Sequence, residues 1–167
     1  MKKSILLTFA FALASILAFG QNPPKSPRIT SESKFIKVSY GQPSKRGRTI
    51  FGPNGIEPFG KVWRTGANQA TEITFTKDGK FGGTPVKAGT YTLFTIPEEK
   101  EWTVLLNSQL GQFGAFEYDK YKDKNVLEVK VPVKKLSSPV EKFTITPSDK
   151  DLKIEWDQTS VVVPVSF

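Results

Sequence analysis

Arg64, Asn68 and Glu72 lie close enough in sequence to share one face, at the end of a long segment shaped by glycine and proline. A guanidinium is a planar fork that can hold a carboxylate, sulfate or phosphate through two parallel hydrogen bonds. With Arg46 and Arg48 upstream, these residues are expected to form a ligand site. Arg64 clamps an anion, Asn68 orients it and Glu72 holds Arg64 in place. The first reading is therefore a non-catalytic binding module for an anionic or carbohydrate ligand. The same residue types also allow a hydrolase or lyase, with Glu72 or Glu117 as base and Arg64 stabilising developing charge. In a third reading Arg64 and Glu72 form a structural ion pair inside an envelope structural or interaction protein without a ligand. Arg64 exposed on the surface is the fourth.

The charge distribution draws attention to this segment. Residues 33–71 contain Lys34, Lys37, Lys45, Arg46, Arg48, Lys61 and Arg64 against Glu57 alone. Bases and acids balance over the rest of the chain once Lys2 and Lys3 are set aside. A local excess suggests an anionic partner there, although a solvated basic loop would show the same composition.

Other chemistry is excluded by composition. The chain has no histidine and no cysteine, so Ser-His-Asp and Cys-His nucleophiles, and zinc sites built on imidazole or thiolate, cannot form. Acid–base work would fall to carboxylates, lysine or tyrosine. Gly47 and Gly52 lack the Gly-Lys-Ser/Thr ending and the helix of a phosphate loop. Asp119, Asp123 and Asn125 lack the spacing, central glycine and terminal glutamate of a calcium loop. No metal, cofactor or nucleic-acid partner is expected. Gly111 to Tyr118 sets Phe113, Phe116 and Tyr118 among glycines. These aromatics either offer a stacking surface to a sugar or plug one end of the core, the more usual role.

Strands must position these residues. Apolar residues alternate with polar ones at 36–40, 71–76, 102–106 and 127–133, the two-residue period of half-buried strands. Thr90 to Ile96 is rich in β-branched and aromatic residues and ends at Pro97, and further runs follow at 143–145, 152–156 and 161–165. Asp78-Gly79 reads as a turn. The spacing predicts an all-β domain, a single antiparallel β-sandwich of jelly-roll type with eight or nine strands. The best helical candidate is the few residues from Ser137 to Val140, interrupted by Pro139. Two connections, Gly41 to Lys61 and Asn107 to Asn125, are long enough to suggest function.

Residues 1–20 read as a secretory signal peptide. Lys2 and Lys3 precede an apolar stretch from Ile5 to Phe19, and Ala18-Phe19-Gly20 places small residues before Gln21. That stretch is shorter than the roughly 20 residues needed to span a bilayer, and no other segment approaches spanning length. The proline-rich residues 21–30 then read as a linker and 31–167 as the domain. Export to the periplasm or the exterior follows.

Several stretches resemble one exported bacterial family, catalogued as a domain of unknown function, twenty-nine eleven in that series. They are Tyr40 to Ser44, Gly60 to Thr71, Ala88 to Phe94 and Trp102 to Val104, the most specific being Trp63-Arg64-Thr65-Gly66-Ala67-Asn68. The resemblance spans roughly residues 30–165 and implies an exported single-domain protein without specifying an activity, ligand or catalytic residue. Cleavage of the leader predicts a product whose intact mass begins at Gln21; retention of residues 1–20 in a membrane fraction would identify an anchor instead.

Overall fold

A strand with one apolar face must pair at its edges and cover that face, and most of this chain is spent on doing so. The computed structural model describes residues 26–167; the expected signal peptide and the start of the expected linker lie outside them. Nine strands form: β1 Arg28–Glu32, β2 Ile36–Gly41, β3 Thr71–Phe75, β4 Gly79–Phe81, β5 Thr84–Val86, β6 Gly89–Ile96, β7 Glu101–Asn107, β8 Asn125–Pro147 and β9 Asp151–Ser166. They pair antiparallel in the order β1-β2-β3-β6-β7-β8-β9-β4-β5. The all-β, sandwich-like architecture expected from the alternating runs is thus present.

One strand builds both layers. The first part of β8 pairs with β7 up to Pro132, and from Val133 onward β8 pairs with β9. Register breaks between Lys135, Val140 and Thr144 bend it over the first layer. The layers meet again at one side, where the Phe143 N–H donates to the Pro43 carbonyl (2.9 Å) and the Lys45 N–H to that of Glu141 (2.7 Å). Between the layers, Ile36, Val38 and Ile73 share one buried cluster with Ile145, Ile154 and Val163.

At the centre of that cluster is a knot of rings. Trp63 stacks on Trp156 (5.9 Å between centroids, 16° between planes) and meets Phe143 edge-on at 4.9 Å. Phe51 meets Trp102 edge-on at 4.9 Å. On the far side of the first layer, Ala70, Phe94 and Leu105 form a smaller cluster, with Tyr118 packed against it.

Several local expectations are corrected. Ser137 to Val140 is part of the long strand β8, at a register break where only Val140 of the four has a partner on β9; the short helix α1 is Tyr118–Tyr121. Strand β1 begins at Arg28, inside the stretch read as linker. The Arg28 side chain donates through Nε to Ser39 Oγ (2.9 Å), helping tie that proline-rich stretch to the sheet. Asp78-Gly79 is not the hairpin turn. Gly82 (φ 58°) and Gly83 (φ 83°) make it, between β4 and β5, with both residues at positive φ as a type I′ two-residue turn requires. Asp78 instead accepts from the Ala88 N–H (2.8 Å) and pairs with Lys87.

Trp63 is only 2% exposed and reaches four other rings of the core. Trp63→Ala is expected to lower the unfolding free energy by about 3–5 kcal/mol, as for other buried aromatics cut to alanine, measured by urea denaturation.

Candidate functional site

The 42–70 connection carries no strand of its own, yet it is built into the core. Ile50 is fully buried, and Phe51 and Trp63 belong to the aromatic knot. Trp63 exchanges backbone hydrogen bonds with Thr95 of β6 (2.7 and 3.0 Å), prolonging the line of β3 along that edge. At the other end of the loop, Gly41 lies so close to Ala67 that a Cβ there would overlap the Ala67 carbonyl.

Backbone strain concentrates here. Among the described residues, four non-glycine residues have positive φ: Arg46 (49°), Thr65 (55°), Asn68 (63°) and Asp157 (51°). Three lie in this loop, and the fourth is bound to it through the Lys45–Asp157 ion pair (3.0 Å). Thr65 is β-branched, for which this conformation is a genuine outlier. It is held there fully buried, its hydroxyl paired with that of Thr95 (3.0 Å) and its carbonyl accepting from Thr71 Oγ1 (2.6 Å). Such strain persists only where the surroundings over-determine it, and it collects at functional sites.

Arg46 and Arg48 line a cleft of about 330 Å³ with Ser26 and Ser44. The Arg48 guanidinium is fixed in place by donating through Nε to the Lys45 carbonyl (3.0 Å) and through Nη2 to the Ser44 carbonyl (2.7 Å). The Arg46 N–H donates to Glu141 Oε1 (2.8 Å), so the strained tip is tied to β8. Asn68 stands one hydrogen bond behind the cleft, its Nδ2 donating to the Ser26 carbonyl (3.3 Å).

Arg64 and Glu72 are employed separately. Glu72 Oε1 accepts from the Gly111 N–H (3.2 Å), pinning the second long connection. No ion pair joins Glu72 to Arg64 among the described residues. Arg64 is partly buried, and its Nε is buried without a hydrogen-bond partner. The carboxylate that senses it is Glu57. Burial pushes the Glu57 carboxyl up to about 7, and the nearby Arg64 and Arg48 charges only partly oppose that rise. Glu57 was visible in the sequence as the single acid of the basic segment, but its burial was not. The loop closes on it through its own N–H, which donates to the Ile50 carbonyl (2.9 Å).

Glu117 is exposed and forms a loose pair with Lys120 at 3.8 Å. Of the aromatics near it, only Tyr118 plugs a core, against Phe94 (5.2 Å). Phe113 and Phe116 are 60% and 80% exposed, contrary to the plug reading, because the backbone of this connection is held outward by Asn68, Gln69 and Glu72. No group of three or more metal-ligating side chains occurs among the described residues. None of their helices is long and apolar enough to cross a membrane.

The raised Glu57 pKa has a definite sign. Its folded value, about 7, exceeds the ordinary 4.5. The stability linked to this group is therefore complete below about 4.5 and is lost as pH rises through 7. Glu57→Gln removes that loss. At pH 8 the variant is expected to be more stable than the wild type by up to about 3 kcal/mol, with the gap closing toward pH 5, as followed by thermal unfolding across that range.

Comparison with known proteins adds the family. No curated protein and no solved structure matches the chain. Residues 22–165 match the family described as "Protein of unknown function (DUF2911)", which covers all nine strands except the last residue of β9, and with them the Arg48–Glu57–Arg64 loop. The chain belongs to that family.

Proposed function

We propose that the protein is a non-catalytic binding module for an anionic ligand, received at the Arg46–Arg48 cleft. The observation that carries this reading is the Arg48 guanidinium. Two of its nitrogens are committed to backbone carbonyls on the wall of a solvent-open cleft. A guanidinium oriented before binding loses less freedom when an anion arrives. The hydroxyls of Ser26 and Ser44 add neutral donors to the same cleft. Asn68 and Glu72 take supporting roles, holding the Ser26 segment and the second connection. Arg64 acts at longer range, by offsetting the Glu57 charge. Export through the N-terminal leader belongs to the same proposal and would expose the cleft to envelope or external anions.

A catalytic reading has one observation in its favour. A carboxyl near 7 has the proton affinity of a general acid or base at neutral pH. In that reading Glu57 replaces Glu72 and Glu117 as the acid–base residue of a hydrolase or lyase.

The test is a melting-temperature screen with inorganic sulfate, phosphate and citrate, each against sodium chloride at matched ionic strength. An anion that binds the folded state raises the melting temperature with concentration. For sulfate, whose charge is constant over this range, the rise is expected to be larger at pH 6 than at pH 8, because protonating Glu57 removes a negative charge near Arg48. Arg48→Ala is expected to abolish it. If no anion exceeds its chloride control, the binding reading is wrong.

A further inference from the structure

A second and larger cleft, about 480 Å³, opens beside the first, between the 42–70 loop, the β6–β7 turn and the bend of β8 and β9. Its wall from the loop is aromatic, made of Phe51 and Phe59, both partly buried. Phe51 is locked from behind by edge contacts to Trp102 (4.9 Å), Trp63 (5.8 Å) and Trp156 (6.1 Å), so its ring is a rigid surface. The rest of the lining is mostly polar, with Val133 among it. Glu99 and Asp157 stand there with Lys100 and Lys135, and Gln158 and Thr159 add an amide and a hydroxyl.

The two clefts are joined by a short chain of contacts. The Lys45 ammonium donates to the Arg48 carbonyl (2.8 Å) and pairs with Asp157 (3.0 Å). Arg48 belongs to the basic cleft and Asp157 to the aromatic one. Lys45 and Asp157 are each mostly buried, and Asp157 sits at positive φ, so the partition between the clefts is held in a fixed conformation.

We propose that the ligand is an acidic saccharide chain spanning both clefts, with an anionic group at Arg48 and a neighbouring sugar ring against Phe51 and Phe59. This rests on the anion site proposed above and names its ligand class. A sugar ring has an apolar C–H face suited to an aromatic wall, and hydroxyls that both donate and accept. The second cleft supplies both kinds of partner, carboxylates that accept and ammonium groups that donate. Asp157 is already paired with Lys45, so Glu99 against Lys100 and Lys135 leaves this cleft at most one excess positive charge, while the Arg48 guanidinium next door is bound to carbonyls and keeps its full charge. Each volume falls within the roughly 300–1,000 Å³ of ordinary ligand sites.

The experiment is calorimetric titration of the purified protein with a galacturonate hexasaccharide, a sulfated hexasaccharide, neutral maltohexaose and inorganic sulfate at fixed ionic strength. At least one acidic hexasaccharide is expected to bind at least about tenfold more tightly than inorganic sulfate, and maltohexaose at least about tenfold more weakly than that hexasaccharide, each about 1.4 kcal/mol. Phe59→Ala is expected to weaken the hexasaccharide at least fivefold and leave sulfate unchanged, whereas Arg48→Ala weakens both. Gln158→Ala, an exposed change in the rest of the lining, is expected to weaken the hexasaccharide alone and serves if Phe59→Ala does not fold. Should sulfate bind while no acidic hexasaccharide binds more tightly, or should folded wall variants bind the hexasaccharide as the wild type does, the spanning ligand is overturned and the anion site stands. Equal binding of maltohexaose overturns the requirement for acidity. If neither sulfate nor any saccharide binds, the anion site itself fails.

Discussion

The packing of Trp63 against Trp156, Phe143 and Trp102 is the contact on which the rest of the molecule depends. Trp102 comes from β7 in the first layer, Phe143 and Trp156 from the bent-over halves of β8 and β9, and Trp63 from a connection with no strand of its own. A long loop normally carries too little apolar surface to be ordered against its conformational entropy. Here Ile50, Phe51 and Trp63 enter the core, and burial of about 1.5–3 kcal/mol per large side chain offsets that entropy. The loop's polar parts are therefore held in place by a hydrophobic anchor beneath them.

Once the loop is anchored, its charges interact under conditions that open water would not provide. Glu57 is desolvated, so its carboxyl rises toward neutrality even with the Arg64 and Arg48 charges near it. Burial outweighs attraction because neither arginine approaches within ion-pair distance. Arg48 is steadied by carbonyls instead of by a carboxylate, which leaves its positive charge uncancelled at the cleft. Lys45, by contrast, is neutralised by Asp157 and works as a strut. Two neighbouring basic residues thus do different work, although the sequence presents them as part of one basic run.

The alternation of apolar residues announced β2, β3 and β7 with nearly their observed bounds, since period two follows from backbone geometry alone, and the β-branched and aromatic run from Thr90 to Ile96 announced β6. It did not show that 127–133 and 143–145 form one strand. Between them the ladder to β9 is broken at two register shifts, and the run of exposed and half-buried residues there interrupts the alternation that marks a strand. The hairpin at Gly82-Gly83 was missed because its two strands are three residues each, too short to show a period. Arg46 and Arg48 were legible as a pair through local charge, and the structure places them on one cleft. The expected ion pair between Arg64 and Glu72 does not form among the described residues, because nearness in sequence says nothing about which side chains a buried loop turns toward each other.

What the sequence by itself determined is the chemical inventory and the strand class. With no histidine or cysteine, the available chemistry is that of arginine, lysine, carboxylates and hydroxyls, and the alternating runs dictate an all-β fold. Those are properties of composition and of local backbone geometry, which need no partner in space. Which carboxylate is desolvated, which guanidinium faces a cleft and which aromatic rings lie outside the core were decided by tertiary structure alone. Desolvation and cleft shape depend on atoms brought together from distant positions: Lys45 meets Asp157 across 112 residues, and that meeting separates the two clefts.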